Sequence, residues 1–226
     1  LAKVGLVPYC NIYSSFLQRA YDNIIHDVAL PKLPVVLCID RAGIVGNDGA
    51  THHGLFDLAY LRPIPNMLIG APMVASDLRQ MMHMAQGIDS PIAIRYPRGG
   101  DQCDCQHIWN TPADTFFCCE HGKDVTFITY GMIYSNVVDA AKELRDFGIE
   151  ATIIRLTEVS SFDAEALLRF IPDAAPVIII EETAKGCGIH ETLAWALHEL
   201  KTDLKVYGMD LGRGFVPHGK VSQLYN

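Results

Sequence analysis

Short apolar runs rich in β-branched residues alternate with longer amphipathic stretches along this 226-residue chain. The runs occupy residues 7–12, 35–39, 67–69, 92–94, 125–130, 151–154, 177–180 and 204–207. Continuous apolar runs of this kind are typical of strands buried on both faces of a parallel sheet. Apolar residues recur at the helical spacing of three and four over residues 16–28, 75–86, 134–147, 164–171 and 189–200. The alternation predicts an α/β fold of doubly wound, mainly parallel sheets.

The alternation is interrupted once, between residues 99 and 123, where Cys, His, Asp, Thr and Pro replace the periodic apolar residues. We therefore expect a first domain over residues 1–100, a linker over residues 101–123 and a second domain over residues 124–226. Gly148 follows the first predicted helix of the second domain, where a glycine commonly ends a helix.

Charge and composition exclude several classes of protein. The chain has 18 Lys and Arg against 26 Asp and Glu, a net charge of -8, and half of its residues are apolar. This balance excludes a disordered chain and argues against a nucleic-acid partner. No apolar run approaches the roughly 18 residues of a membrane span. Seven cysteines without the spacing of a disulfide framework favour reduced thiols, so we expect a cytoplasmic protein with no membrane partner. Because the chain begins with Leu, we expect further residues upstream.

The most unusual segment, DRAGIVGNDGATHHG at residues 40–54, directly follows the second predicted strand. Its four glycines allow positive backbone torsions and close approach to a ligand. Asp48 and His52 are candidates for acid-base or hydrogen-bonding roles. Since ligands of open parallel sheets bind beyond the carboxyl ends of the strands, this loop is a candidate site. The alternative is a flexible surface loop with solvated charges.

Two other predicted strand ends carry candidate ligand-binding residues. After the first strand, Tyr13 and Phe16 are placed to stack on a flat cofactor ring, and Arg19 is placed to pair with an anion. The alternative for the aromatic residues is core packing, and Ser14 or Ser15 is a candidate helix cap.

After the fourth strand, the string RYPRGG carries Arg95 and Arg98. Two arginines at a strand end suit a phosphate through bidentate hydrogen bonds. Pairing with nearby carboxylates is an equally good interpretation from the sequence alone.

Two further clusters carry weaker signals. The soft ligands of the predicted linker suggest a metal site, but their spacing differs from that of zinc motifs; they are Cys103, Cys105, His107, Cys118, Cys119 and His121. In EETAKGCGIHETL, glycines precede a helix as in a phosphate cradle, yet Glu181 and Glu182 would repel phosphate. We expect helix packing and domain contact there, and a structural role for His218.

Long strings of the chain resemble the pyrimidine-binding domain of the 1-deoxy-D-xylulose-5-phosphate synthases, thiamine-diphosphate enzymes of the transketolase group. They are YSSFLQRAYDNIIHDVAL, LPVVLCIDRAGIVGNDGATHHGLFDLAYLRPIPN and IAIRYPRG. From Asp124 onward the chain resembles the transketolase C-terminal domain more loosely. There, LTEVSSFD and EETAKGCGIHETL depart from the usual strings of the family.

The resemblance implies a reaction. Members of this family decarboxylate pyruvate and join the two-carbon unit to glyceraldehyde 3-phosphate, which makes 1-deoxy-D-xylulose 5-phosphate for isoprenoid, thiamine and pyridoxal synthesis. The cofactor carries the difficult chemistry, while protein groups bind, orient and move protons. The resemblance also implies a homodimer.

Site roles follow from the resemblance, residue by residue. Phe16 corresponds to the aromatic residue that packs on the aminopyrimidine ring, and Arg19 to an arginine of the same cofactor pocket. Asp48 and His52 correspond to catalytic loop residues that contact the cofactor-bound intermediate and the substrate hydroxyls.

The substrate phosphate has its own set of residues. The resemblance implies that Tyr13, Arg41 and Arg98 bind the phosphate of the aldehyde substrate. This agrees with the phosphate interpretation of Arg98 drawn from its place at a strand end.

Two parts of the family's site have no counterpart in this sequence. The glutamate that hydrogen-bonds the aminopyrimidine precedes the segment equivalent to residues 1–10, and the Gly-Asp-Gly motif that holds the diphosphate and Mg²⁺ lies on a separate N-terminal domain. The resemblance therefore implies a chain that is inactive alone and needs the N-terminal half as its partner. Alternatives are a half-transketolase, a 2-oxo acid dehydrogenase beta-like subunit, or a non-catalytic partner module.

Overall fold

The first half of the chain forms a four-stranded sheet in which all neighbouring strands are parallel. We describe a computed structural model that covers residues 1–100 and 115–225. The strands are β1 (Tyr9–Tyr13), β2 (Val36–Asp40), β3 (Leu68–Gly70) and β4 (Ile92–Arg95), in the order β1-β2-β4-β3. Each strand lies within two residues of its predicted position.

The second half forms a five-stranded sheet in the order β5-β7-β6-β8-β9. Its strands are β5 (Phe116–Glu120), β6 (Val125–Thr129), β7 (Ala151–Leu156), β8 (Val177–Ile180) and β9 (Val206–Met209). Among the strands that the structure describes, only β5 is antiparallel to its neighbour β7, so the prediction of two α/β units with mainly parallel sheets is confirmed. Strand β5 lies inside the predicted linker, and that prediction is wrong for this stretch.

Helices occupy the five predicted stretches, and α3 and α8 lie outside them. They are α1 (Ser14–Leu17), α2 (Tyr21–Asn23), α3 (Asp57–Leu61), α4 (Ala75–Met84), α5 (Tyr134–Asp146), α6 (Ala164–Leu168), α7 (His190–Leu200) and α8 (Val221–Leu224). The first predicted helix is a continuous helical run, in which a 3₁₀ turn at Gln18–Ala20 separates α1 from α2 and a π-helix follows at Ile24–Ala29. Within the described ranges, no helix has the length and apolar character to cross a membrane.

The central strands β2, β4, β6 and β7 are buried on both faces, as their continuous apolar runs predict. In β2, Val36 and Cys38 pack with Met81 of α4. The alternate residues Leu37 and Ile39 belong to a different hydrophobic cluster. This alternation is the period-two pattern of a strand whose two faces are both covered.

The two sheets also share one core and a direct backbone connection. The cluster that contains Ile39 of the first sheet also contains Ile154 of the second. At the edge of β3, the Ala71 N–H donates to Thr157 O at 2.8 Å, and the Val159 N–H donates to Ile69 O at 2.9 Å. The second half therefore packs directly onto the half that carries the candidate site.

Candidate functional site

Three neighbouring strands of the first sheet end at the candidate site. Tyr13 is the last residue of β1, Arg41 follows the last residue of β2, and Arg98 follows β4 by three residues. Because β1, β2 and β4 are adjacent and parallel, their carboxyl ends meet at one edge of the sheet. The structure brings all seven residues singled out from the sequence into one connected set of contacts.

Aromatic rings form one side of this set. The rings of Tyr13 and Phe16 stack with centroids 5.5 Å apart, and His52 meets the Phe16 ring edge-on at 5.3 Å. The Arg19 guanidinium lies 5.6 Å from the centroid of the Phe16 ring. Phe16 therefore contacts aromatic and cationic side chains of the candidate site and does not pack in the hydrophobic core.

Charged groups form the other side. Arg98 Nη1 lies 2.8 Å from Asp48 Oδ2, and Arg41 Nε lies 3.9 Å from the same oxygen. Arg41 also pairs with Asp40 and places its guanidinium 3.8 Å from the centroid of the Tyr13 ring. The Arg98 side chain is 46% exposed, so an external anion can reach it. Because two guanidinium groups share one carboxylate, a phosphate can replace that carboxylate as their partner.

The loop that carries Asp48 is closed at its base by glycines. Gly43 and Gly54 exchange two backbone hydrogen bonds, of 2.9 and 2.8 Å. A Cβ on Gly54 would overlap the Arg41 carbonyl and lie 2.7 Å from Ser14 Oγ. Arg41 itself has a φ of +61°, which is unusual for a residue with a side chain. The loop is therefore tightly held at its base, in contrast to the flexible loop that its composition indicates.

His53, which the sequence analysis did not single out, fixes the same loop from inside. Its side chain is buried, and its Nδ1 accepts the Val45 N–H at 3.1 Å. Nε2 lies 3.1 Å from the Pro217 carbonyl and donates to it, because a carbonyl can only accept. This residue is a structural link between the loop and the C-terminal segment. Its only sequence signal is its place beside His52.

Arg95 differs from Arg98 and is not available to a ligand. It is buried and makes two hydrogen bonds to the Asp57 carboxylate, of 2.9 and 3.2 Å. Burial alone would lower the pKa of Arg95, but the Asp57 charge outweighs it and raises that pKa. Of the two interpretations that the sequence left open, carboxylate pairing is correct for Arg95.

A cleft of about 500 Å³ opens beside Phe16. Its apolar walls include Phe16, Phe56 and Phe215. Ser14 and Ser15 also line it, and their buried hydroxyl oxygens have no hydrogen-bond partner among the described residues. The expected capping of α1 by either serine is therefore wrong, since neither makes a side-chain cap. Aromatic walls with spare hydroxyl groups fit a flat heterocycle with polar substituents.

Glu181 stabilises the start of α7 and excludes a phosphate cradle. Its carboxylate is buried and accepts the Ile189 N–H at 2.8 Å, the His190 N–H at 3.2 Å and the Tyr130 hydroxyl at 2.8 Å. A Cβ on Gly188 would overlap this carboxylate. Gly188 is thus required for close packing, and the carboxylate occupies the position that a phosphate would need. The expected helix-packing role of this segment is confirmed.

Glu182 reaches across to the candidate loop. Its buried carboxylate accepts the Ile44 N–H, and Oε1 also accepts the Tyr225 hydroxyl at 2.6 Å. Burial raises the pKa of Glu182 to about 7, although the two hydrogen bonds oppose the shift. The expected domain contact is therefore present and falls on the loop of the candidate site.

The cysteine-rich segment forms no metal centre in the part of the chain that the structure describes. There, no group of three or more His, Cys, Asp or Glu side chains is arranged to hold a metal ion. Cys118 Sγ lies 3.6 Å from His121 Nδ1, and burial raises the pKa of the Cys118 thiol to about 11. Cys119 follows on β5. The other proposed ligands, Cys103, Cys105 and His107, lie outside the described residues.

Comparisons of sequence identify two domains. Residues 1–100 match the transketolase pyrimidine binding domain, and residues 118–226 match the transketolase C-terminal domain. Over its whole length the chain is 42% identical to the 1-deoxy-D-xylulose-5-phosphate synthase of Bacteroides fragilis and 38% identical to that of Clostridium acetobutylicum. It spans only 36% and 37% of the length of these curated relatives.

Solved transketolase structures superpose on this chain. A split gene transketolase, an inactive beta4 tetramer, superposes with a TM-score of 0.83 at 26% identity, over 95% of this chain and 70% of that one. The transketolase of Campylobacter jejuni superposes with a TM-score of 0.77 at 20% identity, over 99% of this chain and 34% of that one. The second likeness concerns the fold alone.

Proposed function

Because the chain belongs to the 1-deoxy-D-xylulose-5-phosphate synthase family, whose C-terminal portion it matches, we propose that it is part of such an enzyme. The proposed reaction condenses pyruvate with glyceraldehyde 3-phosphate to give 1-deoxy-D-xylulose 5-phosphate and CO₂. The observation that carries the proposal is the convergence of Arg41 and Arg98 on Asp48, beside the aromatic group of Tyr13 and Phe16.

The phosphate of the aldehyde substrate binds at the two arginines. Arg98 is half-exposed and Arg41 lies against the Tyr13 ring, so both guanidinium groups face the same space. A phosphate dianion carries more charge than the Asp48 carboxylate and offers three acceptor oxygens, so it competes well for both arginines. Its arrival leaves the Asp48 carboxylate available to accept hydrogen bonds from the hydroxyl groups of the substrate.

Thiamine diphosphate fits the cleft beside Phe16. Phe16 would hold the aminopyrimidine ring by stacking, and the hydroxyl groups of Ser14 and Ser15 would supply hydrogen bonds to its polar substituents. The Arg19 guanidinium lies over the Phe16 ring and lines the same cleft. When bound, this cofactor supplies the nucleophilic carbon that the decarboxylation of pyruvate needs.

Asp48 and His52 supply the polar groups for proton movement. His52 lies edge-on to Phe16, and its Nδ1 is 2.9 Å from Thr51 Oγ1, which fixes the orientation of the imidazole beside the Phe16 ring. An imidazole held there is placed to take or give a proton at the reacting carbonyl oxygen.

The remainder of the site comes from a partner. Since the chain spans about 36% of its relatives, we assign Mg²⁺, the diphosphate group and the catalytic glutamate to the N-terminal portion of the enzyme. On this proposal the chain is inactive alone and works as part of a cytoplasmic homodimer in isoprenoid, thiamine and pyridoxal synthesis. Within it, residues 1–100 and the segment from β5 onward act as two domains.

Substitution of Arg98 tests this function. In the enzyme completed with its N-terminal portion, Arg98→Ala should raise the KM for glyceraldehyde 3-phosphate by tenfold or more, about the value of one charged hydrogen bond, and leave the KM for pyruvate nearly unchanged. Arg79→Ala, an exposed arginine on α4, is the matched control and should change neither constant. Equal effects of Arg98→Ala on both constants would remove the phosphate role.

The likeness to a split gene transketolase supports a second candidate, a half-transketolase. The same completed enzyme separates the two. A synthase requires pyruvate and releases CO₂, whereas a transketolase transfers a two-carbon unit between sugar phosphates without CO₂ release. Measured CO₂ release with pyruvate and glyceraldehyde 3-phosphate decides between them.

A further inference from the structure

The C-terminal segment, residues 215–225, covers the candidate loop over most of its length. The Gly219 N–H donates to Gly46 O at 3.4 Å, and His53 reaches the Pro217 carbonyl. A Cβ on Gly46 would come within 3.0 Å of the Val221 side chain. The loop glycines are therefore needed not only for torsion angles but also for the close approach of this segment.

An apolar cluster lies beneath these hydrogen bonds. Ile44 of the loop and Leu55 just beyond it are buried there, with Val216, Val221 and Leu224 of the C-terminal segment packed against them. The contact between loop and segment is thus a small core of its own, separate from the two sheets.

Glu182 hydrogen-bonds both the loop and the segment through a single oxygen. Its Oε1 accepts the Ile44 N–H from the loop and the Tyr225 hydroxyl from the segment. A Cβ on Gly43 would overlap the Glu182 carboxyl group, so the loop is shaped to admit it. A buried backbone N–H without this acceptor would be left unpaired, at a considerable cost.

We propose that Glu182, together with the C-terminal segment, positions the loop so that Asp48 lies between Arg41 and Arg98. Ile44 lies three residues after Arg41 and four before Asp48, so an anchor at its N–H holds the loop between these two residues. Glu182 touches neither arginine in this network, and it acts through the backbone of the loop. It is a positioning residue, and its consequence for catalysis rests on the proposed function.

Hydrogen exchange on the full 226-residue chain tests the anchor without any activity assay. In Glu182→Ala, amides of residues 43–54 should exchange at least tenfold faster, because the Ile44 N–H loses its acceptor, while those of α5 stay unchanged. Glu182→Gln keeps a carbonyl oxygen as acceptor and should restore most of the protection. Tyr225→Phe should give a smaller acceleration.

Leu204→Ala is the control for general destabilisation, since Leu204 is buried in the core that contains Ile39 and Ile154. It should not speed exchange in residues 43–54 selectively. The proposal is overturned if Glu182→Ala accelerates these amides no more than Leu204→Ala does, or if Glu182→Gln fails to restore protection.

Kinetics of the completed enzyme then test the consequence. Glu182→Ala should raise the KM for glyceraldehyde 3-phosphate several-fold more than the KM for pyruvate, and Glu182→Gln should return it toward the wild-type value. If the wild-type enzyme does not use glyceraldehyde 3-phosphate, the proposed function fails while the exchange data still decide the anchor. If exchange responds but the two KM values change equally, the anchor stands and its link to the phosphate site is overturned.

Discussion

Arg95 and Arg98 lie three residues apart at the end of β4, and each faces an aspartate, yet the two pairs have opposite characters. Arg95 and Asp57 are buried and bind each other through two hydrogen bonds. Arg98 and Asp48 are partly exposed, and Asp48 is shared with Arg41. A buried and exclusive pair supports the fold, whereas an exposed and shared pair can exchange its partner for a ligand.

The largest expected effect comes from breaking the buried pair. Arg95→Ala leaves the Asp57 carboxylate buried without a counter-charge and should lower the free energy of unfolding by about 3–5 kcal/mol. Urea unfolding of the 226-residue chain measures it. Arg98→Ala is the matched control and should lower it by less than about 1 kcal/mol. Similar losses for both variants would show that burial does not distinguish the contributions of the two pairs to stability.

The pH dependence of stability tests another buried ionisable side chain, Glu182. The pKa of Glu182 is about 7 in the folded chain because burial disfavours its charge; Tyr225, Arg95 and Asp57 are the titratable side chains that act on it. The unfolded pKa is near 4.5, so the folded state binds more protons between pH 4.5 and 7. The contribution of Glu182 is therefore full below pH 4.5, falls as the pH rises and is lost above about 7.

This fall amounts to as much as about 3 kcal/mol. Glu182→Gln cannot titrate, so its free energy of unfolding relative to wild type should rise between pH 5 and 7 and level off above. Urea unfolding at a series of pH values from 5 to 8 records the difference. A difference that stays constant with pH would place the pKa of Glu182 outside this range.

An intermediate effect is expected where the backbone itself forms the site. Gly54→Ala places a methyl group against the Arg41 carbonyl and Ser14, and should lower the free energy of unfolding by about 1–3 kcal/mol. Gly87→Ala is the matched control, because a Cβ there meets no atom within 4 Å, and it should change stability by less than about 0.5 kcal/mol. Equal stability of the two variants, compared by thermal and urea unfolding, would contradict the crowding at the loop base.

The smallest effect on stability belongs to the exposed pair. Asp48→Asn removes the carboxylate between Arg41 and Arg98 and should change the free energy of unfolding by less than about 1 kcal/mol. High salt should shrink the difference further, because the partly exposed charges are screened. Unfolding at low and at high ionic strength checks this. A loss above 2 kcal/mol would assign Asp48 to the fold rather than to ligand binding.

Sequence patterns predicted that the site residues lie together, because their positions follow from the geometry of a parallel sheet. Parallel strands end at one edge, so residues that follow β1, β2 and β4 had to meet there. The patterns did not separate Arg95 from Arg98. That distinction depends on Asp57, which lies 38 residues away from Arg95 and whose burial no local pattern reveals.

Contacts over long sequence separations account for the other differences. Glu182 binds the N–H of Ile44, 138 residues away, and the hydroxyl of Tyr225, 43 residues away, and nothing in the local sequence indicates either partner. Strand β5 was missed for another reason. It is a half-buried edge strand within a stretch rich in Cys and His, so it lacks the continuous apolar run of a central strand.

The two partners in the backbone connection between the sheets are synthesised at different times. The edge of β3 is paired through Ile69 and Ala71 to Thr157 and Val159, and positions 159 and 69 are 90 residues apart. At ribosomal rates of about 5–20 residues per second, the partner segment appears on the order of 10 seconds after β3. During that interval an unpaired strand edge is open to the wrong partners, so the nascent first domain depends on the arrival of the second to close it.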